Sequence, residues 1–164
     1  MILRKLKLDD GELMLEWMHD PDVVRDLDAD FRNKTLEDCE RFIQNSWKTE
    51  RSDLHLAIAD DNNIYQGTVS LKKIDYNASN AEFAIVIRKN SMGKGIAIDA
   101  MLSILEMGAT CFGLKKIYWC VNKNNLRAIQ FYNKNHFVRV NNIPKSICDR
   151  YMNNPNLIWY CWSI

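Results

Sequence analysis

The chain lacks a clear excess of either charge, and it lacks long apolar runs. Its 22 basic and 21 acidic side chains give a formal net charge of +1 over 164 residues. Non-specific nucleic-acid binding relies on a broad positive field, so we expect no nucleic-acid partner. The N-terminal segment has no apolar stretch of signal-peptide length, and later uncharged runs are too short or too polar to span a bilayer. We therefore expect a cytoplasmic protein without a membrane partner.

Cysteine is present, but the spacing typical of metal and redox motifs is missing. The five cysteines are an odd number, form no CxxC pair and lie at no zinc-ligand spacing from a histidine. We therefore expect reduced thiols and no metal. Cys39 and Cys120 lie among apolar residues, where a packing role is favoured over a redox or nucleophilic one.

The overall composition is that of a folded domain. Hydrophobic residues make up 47% of the chain and charged residues 26%, which are ordinary values for soluble proteins. A chain of this length buries roughly two-thirds of the surface that it exposes when unfolded. No internal repeat, low-complexity segment or linker divides it, and we predict a single domain over residues 1–164.

The first fifty residues predict one strand followed by helices. A loose alternation predicts a strand over 2–7, and capping-box spacing after Asp9 predicts a first helix. Pro21 interrupts that pattern, and the next few residues read as helix or irregular turn. Thr35 and Asp38 again have capping-box spacing. They precede residues that recur on one helical face, namely Leu36, Cys39, Phe42, Ile43 and Trp47.

The remainder of the chain predicts a strand meander followed by alternating strands and helices. Three antiparallel strands are predicted at 54–58, 64–74 and 81–87, joined by turns rich in Asp and Asn. Later segments are a helix over 95–111, a strand over 116–121, a helix over 125–135, strands over 137–140 and 157–163, and a loop over 141–156. We predict a mixed α+β fold, with a mostly antiparallel sheet flanked by helices.

A glycine-containing turn at 88–97 joins a predicted strand to a predicted helix. Glycine is required where the backbone approaches a ligand closely or adopts a positive φ. The first amides of a helix lack internal partners and favour an anion, such as a pyrophosphate. Taken alone, the turn is equally compatible with an ordinary tight connection. It matches neither GxxxxGK[ST] nor a GxGxxG unit with its acidic residue.

Residues 125–137, NLRAIQFYNKNHF, resemble the NxRAIxxYxKxGF segment of the GNAT superfamily of acyl-CoA N-acyltransferases. The family's glycine motif, [Q/R]-x-x-G-x-[G/A], matches at Gly95 and Ala97 but has Met92 at its first position. His136 also replaces a usual glycine. The N-terminal helices look like the branch that contains ribosomal-protein N-terminal and amino-sugar-nucleotide acetyltransferases. The resemblance implies a GNAT-like fold and a sheet of mixed direction.

The same resemblance implies that acetyl-CoA is the acetyl donor. In the family the glycine turn holds the CoA pyrophosphate through backbone amides, and the preceding strand binds the pantetheine arm. Lys94 is equally plausible as a solvated side chain, and Asn125 as a helix cap. The residues expected to bind the cofactor are Ile85, Val86, Ile87, Met92, Gly93, Lys94, Gly95, Ile96, Ala97 and Asn125.

Two residues are candidate catalytic groups for acetyl transfer, which needs a neutral amine and a proton for the departing thiolate. Tyr132 occupies the family's tyrosine position and is the candidate general acid, the alternative being a packed aromatic ring. Glu82 is the candidate base, directly or through water, the alternative being a solvated carboxylate. The histidines are weaker base candidates: His19, His55 and His136.

The predicted function is acetyl transfer to a primary amine by direct attack on the thioester. An amino-sugar nucleotide is slightly favoured, while a protein N-terminus, a polyamine and an antibiotic amine stay open. The alternatives are a ribosomal-protein N-terminal acetyltransferase and a non-catalytic acyl-CoA-binding module. A nucleotide hydrolase is disfavoured because no Mg²⁺ ligand set is found. We expect a small-molecule or peptide substrate, and a monomer or homodimer.

Overall fold

A computed structural model of the chain describes residues 1–27, 29–48 and 52–164. In these residues seven strands form one sheet in the order β1-β2-β3-β4-β5-β7-β6. All neighbouring strands are antiparallel except β4 and β5, which are parallel. The strands are β1 (Ile2–Lys5), β2 (Leu54–Ala59), β3 (Tyr65–Asp75), β4 (Asn80–Ile87), β5 (Lys116–Asn122), β6 (Val138–Val140) and β7 (Leu157–Ser163).

Helices cover both faces of this sheet. The α-helices are α1 (Gly11–Met18), α2 (Pro21–Val24), α3 (Leu36–Ser46), α4 (Ile96–Phe112), α5 (Leu126–Lys134) and α6 (Lys145–Cys148). Short 3₁₀ turns lie at Leu8–Asp10, Lys89–Ser91 and Asp149–Tyr151. The predicted fold class, a mixed and mostly antiparallel sheet flanked by helices, is confirmed.

Side-chain capping explains where α2 and α3 begin. The Thr35 hydroxyl accepts the Asp38 amide at 3.2 Å, and the Asp38 carboxylate accepts the Thr35 amide at 3.0 Å. This capping box fixes the start of α3, as its spacing predicts. Asp20 accepts the Asp22 amide at 2.9 Å and Pro21 occupies the first turn, so the ambiguous segment after α1 is the short helix α2.

Two apolar clusters lie on opposite faces of the sheet. We call the face beneath α4 and α5 the α4 face, where Leu71, Phe83, Ile104 and Trp119 pack together. We call the other the α1 face, where α1 and α3 pack and where the core includes Met14. Because side chains alternate along a strand, neighbouring residues of β4 contribute to different faces.

The segment over 141–156, predicted as a loop, contains regular structure. It includes α6 and a 3₁₀ turn, and Ile147 is completely buried. The Lys73 ammonium donates to the carbonyl oxygens of Ser146 and Ile147 at 3.1 and 3.2 Å. The loop prediction was wrong for residues 145–151 because one buried side chain and two tertiary hydrogen bonds order a segment too short to show periodicity. We call residues 144–151 the strap.

Candidate active site

The sheet opens between its two parallel strands. β4 and β5 pair over only three positions, from Asn80 opposite Lys116 to Glu82 opposite Tyr118. Beyond these positions β4 continues to pair with β3, and β5 continues to pair with β7. The carboxyl ends of both strands therefore border a gap, and each strand is followed by a helix, α4 or α5. Ligands of open α/β sheets bind in crevices of this kind.

The glycine turn lies at this opening, where α4 begins. Gly93 and Gly95 have φ angles of 75° and 78°, in the left-handed region that favours glycine. A Cβ on either residue would meet nothing within 4 Å, so glycine is needed here for backbone conformation. Gly95 precedes the 17-residue α4 and provides no side-chain cap. The free first-turn amides fit an anion such as a pyrophosphate.

The other residues expected to bind the cofactor line the same region. Ile85 packs towards the α4 face and Val86 towards the α1 face, while Ile87 is buried in the α4-face core. Met92 packs against both clusters, so an apolar contact occupies the position where the family has a polar side chain. Lys94 is exposed.

The remaining residues expected to bind the cofactor lie at the starts of α4 and α5. Ile96 and Ala97 pack against the α4-face core at the start of α4. Asn125 caps α5, since its side-chain oxygen accepts the Ala128 amide at 3.0 Å. Its predicted capping role is confirmed, and the cofactor contact of Asn125 stays a prediction.

Tyr132 lies on α5, on the α4 face beside β5. Its ring centroid is 5.5 Å from that of Trp119 and 4.9 Å from that of Tyr160. Burial raises the pKa of Tyr132, so its hydroxyl keeps its proton. No hydrogen bond joins this hydroxyl to any residue that the structure describes. Tyr132 is therefore both a packed aromatic residue and a proton donor without a protein acceptor.

Glu82 lies on the α1 face, at the last position where β4 and β5 pair. It is 2% exposed, so the solvated alternative is wrong. The Lys72 ammonium lies 3.3 Å from its Oε1, and Arg150 and Tyr151 donate to the same oxygen. Its other oxygen, Oε2, is buried and has no hydrogen-bond partner among the described residues. Glu82 and Tyr132 therefore border the opening from opposite faces.

Three polar partners of Glu82 were missed by sequence reasoning. Lys72 belongs to β3, and Arg150 and Tyr151 belong to the strap, 68 and 69 residues after Glu82. Burial lowers the pKa of Lys72 and raises the pKa of Tyr151. Burial also raises the pKa of the neighbouring Cys120 thiol to about 11, which favours a neutral thiol. No local pattern signals contacts made across such a sequence separation.

The histidines lie away from this cluster or have structural partners. His55 is half-buried, with Nδ1 2.7 Å from the Ser70 hydroxyl. Burial lowers the pKa of His55. His19 Nε2 lies 2.9 Å from the Lys34 carbonyl oxygen. His136 has a φ of 61°, the left-handed conformation for which the family motif uses glycine.

In residues 1–27, 29–48 and 52–164, no group of three or more His, Cys, Asp or Glu side chains is arranged to hold a metal ion. None of the described helices is both long enough and apolar enough to cross a membrane.

A comparison with protein families identifies the class of the chain. Residues 1–138 match the family described as Acetyltransferase (GNAT) domain. The chain belongs to the GNAT acetyltransferase family, and the resemblance noted in its sequence is confirmed.

Individual relatives are similar over different shares of the chain. Spermidine N(1)-acetyltransferase of Escherichia coli (strain K12) is 38% identical over 68 residues, which are 42% of this chain and 37% of that protein. The matched region thus spans little more than a third of that relative's length. Uncharacterized N-acetyltransferase p20 of Bacillus licheniformis is 24% identical over 139 residues, 84% of this chain and 78% of that protein.

A solved structure shares the fold over nearly the whole chain. The spermidine N-acetyltransferase from Vibrio cholerae in complex with CoA and spermine has a TM-score of 0.78 and 21% sequence identity, and the alignment covers 99% of this chain and 94% of that chain. A likeness at this level of identity concerns the arrangement of strands and helices. It agrees with the GNAT-like fold implied by the sequence.

Proposed function

We propose that the protein is an N-acetyltransferase that transfers the acetyl group of acetyl-CoA to a primary amine by direct attack on the thioester. The observation that carries this proposal is the position of the glycine turn. Its two left-handed glycines and the uncapped start of α4 border the gap between β4 and β5, with Tyr132 on the adjoining helix. An anion cradle, an unpaired strand edge and a proton donor are the parts that this transfer requires.

The residues around the opening suit the donor substrate, which supplies the acetyl thioester. The amides of residues 93–97 bind the pyrophosphate, and Lys94 adds a positive charge at an exposed position. The edge of β4 over 85–87 offers backbone groups to the pantetheine arm, since β5 does not pair with it there. One amide near Ile85 or Val86 donates to the thioester oxygen, where negative charge develops.

Tyr132 and Glu82 divide the proton transfers in this proposal. The Tyr132 hydroxyl donates its proton to the departing thiolate, and its raised pKa keeps that proton available at neutral pH. Glu82 accepts a proton from the substrate ammonium, directly or through water, which leaves the nitrogen lone pair free to attack. Because they lie on opposite faces of the opening, Tyr132 faces the thioester from one side and Glu82 faces the amine from the other.

The proposed acceptor is a primary amine, and two kinds of amine should be tested first. The sequence favours an amino-sugar nucleotide. Two observations favour a polyamine. The Escherichia coli relative is named as a spermidine acetyltransferase, and this chain has eight acidic and three basic residues between positions 20 and 40. A chain segment rich in carboxylates attracts a substrate with several ammonium groups. An N-terminal peptide is the third kind of acceptor.

The test is CoA release by the purified protein with acetyl-CoA and a panel of UDP-linked amino sugars, polyamines and N-terminal peptides. Mass spectrometry of the amine identifies the N-acetyl product, and a reaction without amine measures simple thioester hydrolysis. We expect amine-dependent CoA release with one of these classes. Acetyl-CoA binding without CoA release across the whole panel would favour the non-catalytic binding module instead.

A further inference from the structure

The strap is fastened to the α1 face at two points. Ile147 is fully buried, and the Lys73 ammonium bonds the backbone of residues 146 and 147. Further along, the Tyr151 ring packs edge-on against Trp159 of β7 at a centroid distance of 5.2 Å. The Arg150 guanidinium lies over the Tyr151 ring, 4.5 Å from its centroid. The end of the strap therefore holds these two side chains over β4 and β5.

The hydrogen bonds to Glu82 are distributed unequally between its two oxygens. Oε1 accepts from both strap residues and lies 3.3 Å from the Lys72 ammonium. Oε2 is buried and has no partner among the described residues. Buried carboxylate oxygens are normally hydrogen-bonded, so an orphaned one beside a substrate crevice points to a missing N–H donor. The amine of the acceptor is such a donor.

We propose that Arg150 and Tyr151 are positioning residues that hold Glu82 through Oε1 and so leave Oε2 for the N–H of the acceptor amine. This inference rests on the proposed function. In the step that it describes, an N–H bond of the substrate ammonium breaks, an O–H bond forms at Oε2, and the electron pair stays on nitrogen.

The charge at Glu82 depends on every polar group that faces it. Each cation or hydrogen-bond donor close to a carboxylate favours its charged form. The groups concerned are Lys72 on β3, Tyr118 and Cys120 on β5, and Arg150 and Tyr151 on the strap.

The experiment compares Arg150→Gln and Tyr151→Phe with Lys145→Gln, each in the native chain and in an E82Q chain. Lys145 is an exposed strap residue, so K145Q is a matched control for the lost charge. We expect R150Q and Y151F to lower kcat about 10- to 100-fold with little change in the KM for acetyl-CoA. R150K should recover part of the loss.

In the E82Q chain, the same two substitutions should change kcat by less than about twofold, because both act through Glu82. Equal losses in the native and E82Q chains would overturn the inference, as would a loss in K145Q equal to that in R150Q.

A second readout separates this inference from the proposed function. If the native protein releases no CoA with any amine, the proposed function fails, and the ¹³C chemical shift of the Glu82 carboxyl still reports its partners. We expect this chemical shift, measured at one pH, to differ from the native value in R150Q and Y151F and to match it in K145Q. Identical chemical shifts in all four proteins would contradict the positioning role.

Discussion

At the scale of single residues, the sequence predicts the motif residues of the site better than it predicts the surroundings of Glu82. Gly95 and Tyr132 belong to short motifs, and the structure places both beside the gap between β4 and β5. Glu82 was chosen as a candidate from its strand position alone. Its environment depends on Arg150, a contact across 68 residues that leaves no local pattern. Residues in short motifs are therefore predictable from sequence, while the long-range hydrogen-bond partners of Glu82 are not.

Replacing Gly95 by alanine tests the anion cradle. A non-glycine residue at a φ of 78° is strained by about 1 to 2 kcal/mol, and relief of that strain would turn the first amides of α4. We expect G95A to raise the KM for acetyl-CoA several-fold. Gly113, with a φ of 67°, ends the same helix about 25 Å away and also has open space around it. G113A should show a similar loss of stability with an unchanged KM; equal KM values for both variants would argue against the cradle.

Replacing Tyr132 by phenylalanine tests the general acid. We expect kcat to fall about 100-fold or more, with the KM for acetyl-CoA nearly unchanged, because the ring packing survives and only the proton is lost. Since burial raises the pKa of Tyr132, the native enzyme should show no alkaline limb from this group below about pH 10. The control is Y160F, which removes a neighbouring hydroxyl bonded to Asn133 at 3.2 Å. Normal turnover by Y132F with an unchanged pH profile would remove the role.

At the scale of elements, periodicity and capping predict long segments well and short ones poorly. The helix predicted over 95–111 is α4 (Ile96–Phe112), and the strand predicted over 81–87 is contained in β4 (Asn80–Ile87). The strap was predicted as part of a loop. Its single helical turn is ordered by the burial of Ile147 and by bonds from Lys73, neither of which is periodic. Tertiary contacts decide the structure of such short pieces.

Gly67 on β3 allows the close approach of β4, and its replacement tests how that strand is placed. A Cβ at residue 67 would lie 2.3 Å from the Val86 carbonyl oxygen, on the segment proposed to bind the pantetheine arm. We expect G67A to lose about 1 to 3 kcal/mol of stability and to raise the KM for acetyl-CoA. G11A is the control, since its Cβ would come closest to the flexible end of Leu36, at 3.2 Å, and would approach no backbone atom of another element as closely. An unchanged KM in G67A would contradict the proposed role of β4.

At the scale of the whole molecule, the site arises from strand order. The parallel pair β4–β5 lies in the interior of an otherwise antiparallel sheet, and its early separation creates the opening. The sequence predicts the mixed sheet and the two following helices. It does not predict that β7 inserts between β5 and β6, or that the strap crosses the α1 face, because such long-range pairings leave no periodic signal. The region proposed to bind acetyl-CoA was accordingly more predictable than the region around Glu82 that is proposed to bind the amine.

The free energy of unfolding should depend on pH through the protonation of His55. Burial lowers its pKa in the folded chain, so the unfolded chain binds the proton at higher pH. The contribution to stability is therefore present above about pH 6.5 and is lost as pH falls through the folded-state pKa. We expect urea unfolding to show a lower free energy at pH 5.5 than at pH 7.5, with a smaller difference in H55Q. The same difference in both proteins would contradict this assignment.

The central claim, that acetyl-CoA binds in the opening between β4 and β5, is tested most directly by amide hydrogen exchange with and without acetyl-CoA. We predict that the ligand slows exchange in residues 84–98, which include the edge of β4 and the glycine turn, and around Asn125 at the start of α5. Residues of β1, three strands from β4 in the sheet order, and of α3, which packs against α1, serve as the internal reference. Protection confined to other parts of the chain, or no protection at a saturating concentration, would contradict the account.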